Sequence, residues 1–171
     1  MSDNRDELVK PEWMDDEQWG FFKDATSSLE RIKGDAKADV ERILESPEEW
    51  AKAETSPSGF ATLLLTMIGR KSGEKRTTPL VFMEHGEEMV VVGSLAGYDS
   101  HPVWVLNLNA EPNCWVQVGH KKMTAVAREA SDEERAEIWP KAVEMFPAWG
   151  YFQDQTERPF SIKILSPTGP A

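Results

Sequence analysis

Cysteine is nearly missing. Cys114 is the single one in 171 residues, so no intrachain disulfide can form and no thiolate metal cluster can be built. It stands beside Trp115 in an apolar, strand-like stretch and reads as a small buried hydrophobe. Histidine is scarce as well. His85, His101 and His120 lack the i, i+4 pairing and acidic companions of a zinc site, so no metal is expected. His85 and His120 fall in turns, and His101 precedes Pro102 at a helix start, a capping or packing position. No Gly-Lys-Ser/Thr, no Gly-x-Gly-x-x-Gly and no Gly-x-Ser-x-Gly occurs; that removes Walker-type triphosphate sites, Rossmann dinucleotide sites and the hydrolase elbow. No apolar run approaches the roughly 20 residues of a membrane-spanning helix, so no integral membrane segment is expected. The opening residues are polar and acidic, the opposite of a signal or transit peptide, and a cytoplasmic location follows as the expectation.

Positive charge is also in short supply. The net charge is −11, which repels nucleic-acid phosphates and removes DNA or RNA as partners. The deficit concentrates at the front: residues 1–57 hold 16 acids against 8 bases, residues 58–171 hold 14 against 11. The length suits one domain with a proper core. The sequence divides into an acidic helical extension packed on the core, residues 1–57, and a β-rich core, residues 58–171. Residues 1–12 show no periodicity and read as disordered. From Asp15 to about Leu44, apolar residues recur every three or four positions, which describes one helix or two with a break at Gly34. Ser46-Pro47-Glu48-Glu49 reads as a further helix start.

Against that acidic background one stretch stands out. The apolar run Leu63–Ile68 ends at Gly69, a second begins at Leu80, and between them lie Arg70, Lys71, Lys75 and Arg76 against Glu74 alone. Two strands joined by a tight turn are expected, its tip rich in cations and backbone N–H groups. Such a turn forms an anion-binding concavity, and arginine adds bidentate bonds to phosphate or carboxylate. Strands are expected next over 89–94, 113–118, 121–128 and 160–165. A short helix should run through 101–109, a capped one from Ser131 to about Met145, and an aromatic segment covers 147–155. About six short strands with helices at the ends favour an α+β fold built on a small, mostly antiparallel barrel. An anion cradle without a cluster of acid, base and nucleophile suits an enzyme whose reactive part is a bound cofactor. No catalytic residue is nominated.

These residues carry a resemblance. Gly69-Arg70-Lys71-Ser72-Gly73-Glu74-Lys75-Arg76 with Pro79-Leu80, then Ser94-Leu95-Ala96-Gly97, then His101-Pro102-x-Trp104-x-x-Asn107-Leu108-x-Ala110-x-Pro112 are similar to the deazaflavin-dependent nitroreductase and quinone reductase family. Ser131 to Arg135, Trp139-Pro140, Met145-Phe146-Pro147 and Arg158-Pro159 continue the likeness, which covers about residues 60–167. The resemblance implies a split β-barrel holding reduced coenzyme F-420, a deazaflavin with a phosphate and a polyglutamate tail. In that reading Arg70, Lys71, Ser72 and Arg76 hold the phosphate and tail. Thr78, Pro79 and the backbone of Ser94, Ala96 and Gly97 line the ring and ribityl chain, and Trp104 and Asn107 flank the pocket. Hydride would pass to an apolar electrophile: a quinone, an activated alkene or a nitro compound.

The sequence departs from the family twice. Ala96 stands where a second glycine is frequent, and Phe146, Trp149 and Phe152 stand where nitroreducing members carry tyrosines, with Tyr151 off register. Phenylalanine cannot protonate a substrate and indole only donates, so these three aromatics are expected at an apolar acceptor site. Two alternatives stay open: a non-catalytic protein that binds coenzyme or a lipid-like ligand, and an FMN-dependent reductase on the same barrel. The extension could cover the pocket, bind a partner or lie peripherally on a membrane, and a monomer or homodimer is expected.

Overall fold

A computed structural model describes residues 7–171; the expectation of disorder over residues 1–12 lies partly outside them. The described chain opens with helices α1 (Asp16–Ala25) and α2 (Leu29–Glu45). The break between them falls at residues 26–28, not at Gly34. There the Thr26 hydroxyl donates to the Phe22 carbonyl at 2.9 Å, the Ser27 hydroxyl to that of Asp24 at 2.7 Å, and Ser28 Oγ accepts from the Arg31 amide at 3.0 Å. Three consecutive hydroxyl residues offer the backbone local partners that end one helix and cap the next. A lone glycine inside a helix costs only about 1 kcal/mol, and α2 runs straight through it. A short helix, α3 (Pro47–Trp50), follows, with proline in its first turn as expected.

Seven strands follow among the described residues: β1 (Thr62–Ile68), β2 (Lys75–Val81), β3 (Met83–His85), β4 (Glu88–Gly93), β5 (Asn113–Val118), β6 (Lys121–Glu129) and β7 (Ser161–Pro170). The one beyond the expected number is β3, whose His85 was expected in a turn. Every pairing is antiparallel, in the order β2-β1-β5-β6-β7-β4-β3. β2 and β3 are therefore opposite edges of one sheet, yet only Phe82 lies between them. Two Cα steps carry the chain about 7 Å at most, so the sheet must curl until its edges meet at that residue. The Phe82 amide donates to the Ala61 carbonyl at 3.1 Å there. This is the split barrel that the resemblance implied.

Alternation along the strands decides what the barrel encloses. Leu63, Leu65 and Met67 of β1 point inward, against Val91, Val116, Ala125 and Leu165. Helix α4 (Val103–Ala110) closes the core with Trp104, Val105 and Leu108. Outward-facing Leu64 packs on Ile43 and Trp50, which fastens the end of α2 and α3 to the barrel wall. Helix α5 (Asp132–Met145) lays Ile138 on Val90, Ile162 and Ile164, and α6 (Pro147–Asp154) follows it. Among the described residues no helix is long and apolar enough to cross a membrane.

Candidate functional site

The turn between β1 and β2 is tight because glycine allows it. The Gly69 amide donates to the Glu74 carbonyl and the Gly73 amide to that of Gly69, both at 2.8 Å. Gly73 sits at φ +73°, and a Cβ on Gly69 would lie 2.8 Å from Ser72 Oγ. Asn107, buried on α4, ties the turn down: its Oδ1 accepts from the Arg70 amide at 3.1 Å and from the Arg70 guanidinium at 3.5 Å. Among the described residues, the amides of Lys71 and Ser72 find no acceptor. Two free donors beside two cationic side chains make a concavity for an anion.

That turn forms one wall of a cavity of ≈ 1040 Å³. Arg76 to Leu80 of β2 continue the wall, the 94–96 loop and the start of α4 add to the lining, and α2, which packs against β2, supplies the rest. Helix α2 presents an apolar stripe of Leu29, Ile32, Ala36 and Val40 to the interior, flanked by Lys33 and Lys37. Five cations thus line one cavity: Lys33, Lys37, Arg70, Lys71 and Arg76. Glu41 is the acid among the lining residues. Arg76 meets Glu74 at 3.2 Å; the other four have no carboxylate partner among the described residues. The arginines of α2 behave differently, since Arg31 pairs with Asp24 and Asp35, and Arg42 with Asp39, at about 3 Å. His101 also lines the cavity, and burial, reinforced by the Arg158 charge, pushes its pKa down. Near neutral pH the positive field therefore comes from lysine and arginine alone.

The base of the cavity is held in an uncommon shape. Leu95, Ala96 and Gly97 have φ of +40°, +51° and +76°, three residues running in the left-handed region. Such positions cost about 1 kcal/mol or more for a residue with a Cβ and persist only when their surroundings enforce them. Here the enforcement comes from Arg158, whose guanidinium donates to the carbonyls of Gly93 (3.0 Å), Ser94 (2.9 Å) and Tyr98 (2.8 and 3.1 Å). Gly97 is pressed against α6, where a Cβ would come within 2.7 Å of the Phe152 carbonyl.

Of the residues nominated from sequence, Arg70, Lys71, Ser72, Arg76, Thr78, Pro79, Ser94, Ala96, Trp104 and Asn107 all line this cavity. Gly97 lies behind it, and Lys75 turns to the far side of the sheet, its Nζ 3.9 Å from the Trp115 ring centroid. Phe146, Trp149 and Phe152, expected beside an acceptor, are not among the residues that line this cavity. They fill an aromatic cluster in which Phe146 meets Trp149 at 5.0 Å and Phe60 at 4.5 Å, and Phe22 of α1 stacks on Phe152 at 5.3 Å. The physical reason is that the apolar face of α6 is already spent on docking α1 and the 94–97 loop. The hydroxyl of Tyr151 donates to the Val9 carbonyl, and that of Tyr98 to the Thr26 carbonyl, so both phenols tie down the extension.

Sequence reasoning missed Lys33, Lys37 and Arg158. A signal existed for the lysines: two like charges at i, i+4 disfavour a helix, and here they border an apolar stripe. Among the described residues no group of three or more His, Cys, Asp or Glu could hold a metal.

The family model for F420H(2)-dependent quinone reductases matches residues 48–167. An F420H(2)-dependent quinone reductase of Mycobacterium tuberculosis (strain H37Rv) is 31% identical over 114 residues, covering 64% of this chain and 76% of that protein. Another protein of the same organism is 35% identical over 106 residues, covering 62% of this chain and 89% of the relative. Among solved structures, an F420-H2 dependent reductase superposes with a TM-score of 0.58 at 37% identity over 61% of this chain and 93% of its own. A chain described as a domain-swapped dimer gives 0.59 at 33% identity, over 76% and 96%.

Proposed function

The chain belongs to the F420H(2)-dependent quinone reductase family and is an oxidoreductase that uses coenzyme F-420; from that premise we propose that the cavity between the basic turn and α2 holds the reduced coenzyme beside an apolar quinone. Arg70, Lys71, Ser72 and Arg76 hold its phosphate and tail, the three cations by charge and Ser72 by hydrogen bonding. Thr78, Pro79 and the loop around Ser94, Ala96 and Gly97 seat the ring, with Trp104 and Asn107 behind. The observation that carries this reading is the gathering of five cations, four of them without a carboxylate partner among the described residues, in a chain of net charge −11, around one cavity with an apolar flank. The donor set suits a phosphate with carboxylates, and a volume at the upper end of ligand pockets suits a long molecule.

The coenzyme supplies the hydride when bound. What the protein contributes is placement. The basic turn anchors one end, so the ring has little freedom to slide, and orientation of this kind can supply several kcal/mol of a bimolecular barrier. The stripe of Leu29, Ile32, Ala36 and Val40, with Pro79 and Leu80, offers a quinone an apolar wall. With both phenols committed to backbone carbonyls, the proton the acceptor needs comes from solvent through the open side. A cytoplasmic location and a homodimer, as in the domain-swapped relative, belong to the same reading.

The test is a fluorescence titration of the purified protein with oxidised coenzyme. The double variant Lys71→Ala, Arg76→Ala is expected to bind more than tenfold more weakly, and the wild type to oxidise the reduced coenzyme only when a quinone is present. Unchanged affinity in that variant would overturn the assignment. Binding without quinone-dependent turnover would favour a carrier, and tighter binding of FMN a flavin enzyme.

A further inference from the structure

Helix α2 lies wholly outside the stretch matched by the family, which begins at residue 48, yet it forms a full side of the cavity. Asp35 and Asp39 are engaged by Arg31 and Arg42, while Lys33 and Lys37 line the cavity with no carboxylate partner among the described residues; Glu41, one turn beyond Lys37, lines it too but makes no ion pair with either lysine. The two lysines are one turn apart, about 5.4 Å along the axis, both are exposed, and both line the cavity that Arg70, Lys71 and Arg76 line. Solvent screens their mutual repulsion, but five cations against one acid in a chain of net charge −11 make this cavity the favoured place for an anion.

We infer that Lys33 and Lys37 are the second jaw of an anion clamp: they grip the carboxylates of the coenzyme's glutamate tail from α2, while Arg70, Lys71 and Arg76 hold it from the basic turn and β2. This rests on the coenzyme reading above and extends it, because it makes the N-terminal extension part of the binding site and a sensor of tail length. Two solvated ion pairs to one ligand strengthen binding by a modest factor each, and the factor shrinks as salt screens them.

The experiment compares two forms of oxidised coenzyme, one with its full glutamate tail and one trimmed of glutamates but keeping the phosphate. Both are titrated by fluorescence into the full-length wild type and the pair Lys33→Gln, Lys37→Gln. The glutamine pair is expected to weaken the tailed form about tenfold and the trimmed form less than twofold, with a flatter dependence of log Kd on log salt for the tailed form. The pair Lys33→Arg, Lys37→Arg should restore both affinity and salt dependence. Equal losses on both forms, or no loss on the tailed one, would overturn the clamp. Lys71→Ala separates the two levels of the argument. If it weakens both forms while the α2 pair is silent, only the clamp fails; if it too leaves both forms unaffected, the coenzyme site itself has been misplaced. Thermal melts by circular dichroism confirm that the exposed α2 substitutions leave the fold intact.

Discussion

Arg158 shows how much one side chain can organise. It sits half-buried over the Phe160 ring, 4.8 Å from its centroid, and burial lowers its pKa. Its four hydrogen bonds all end on carbonyls of residues 93–98. Those carbonyls would otherwise face one another in a loop with two non-glycine residues at positive φ. A lysine keeps the charge but cannot fork across three acceptors. Arg158→Lys is therefore expected to lower stability by about 2–3 kcal/mol, read as a shifted urea midpoint, and to speed amide exchange at residues 94–98 ahead of the strands. Nothing local announces this role. From sequence, Arg158-Pro159 marked family likeness only, because the partners lie some 60 positions upstream, and such a bond is visible only once β4 and β7 are paired. The basic turn was legible for the opposite reason: its glycines, cations and hydroxyls all act within eight residues.

At the level of elements, periodicity located most helices and strands, and β6 buries Met123, Ala125 and Ala127 as its alternation predicts. What periodicity cannot say is which surface an apolar face will meet. The aliphatic stripe on α2 borders a cavity, whereas the aromatics expected at an acceptor site pack among themselves and against α1. Both are apolar faces, and the docking of α1 is what separates them. Phe22 is the hinge of that docking, stacked on Phe152 and edge-on to Tyr151 at 5.6 Å. Phe22→Ala removes a half-buried ring and should cost about 2 kcal/mol. Hydrogen exchange is expected to rise across residues 16–45 while the barrel strands stay protected. Uniform loss of protection would mean that the extension and barrel unfold as one unit.

For the whole molecule, pH acts through two groups of different kind. His101 is exposed, yet partial desolvation and the Arg158 and Lys163 charges, against the opposing pull of Glu129, lower its pKa. The unfolded chain then binds the extra proton first, and stability falls as pH drops below about 6.5. Glu134 is held at about 2 by its hydrogen bonds from Arg128 and the Ser131 amide. Its contribution is complete above the ordinary carboxylate range and disappears as pH falls from about 4.5 towards 2. Urea midpoints measured from pH 8 to 3 should show both steps, and His101→Gln should erase only the first. A wild-type profile that is flat between pH 7 and 5 would contradict the His101 assignment.

Helix α2 is moored at both ends: Tyr98 and Phe22 hold its start, while Ile43, Trp50 and the bond from the His120 amide to Glu48 secure its finish. A beam fixed at two points cannot swing aside like a door. On the proposed reading, coenzyme and acceptor come and go by the cavity's open side, and the helix stays put while they exchange. The wall that α2 supplies is then fixed architecture, present before any ligand arrives.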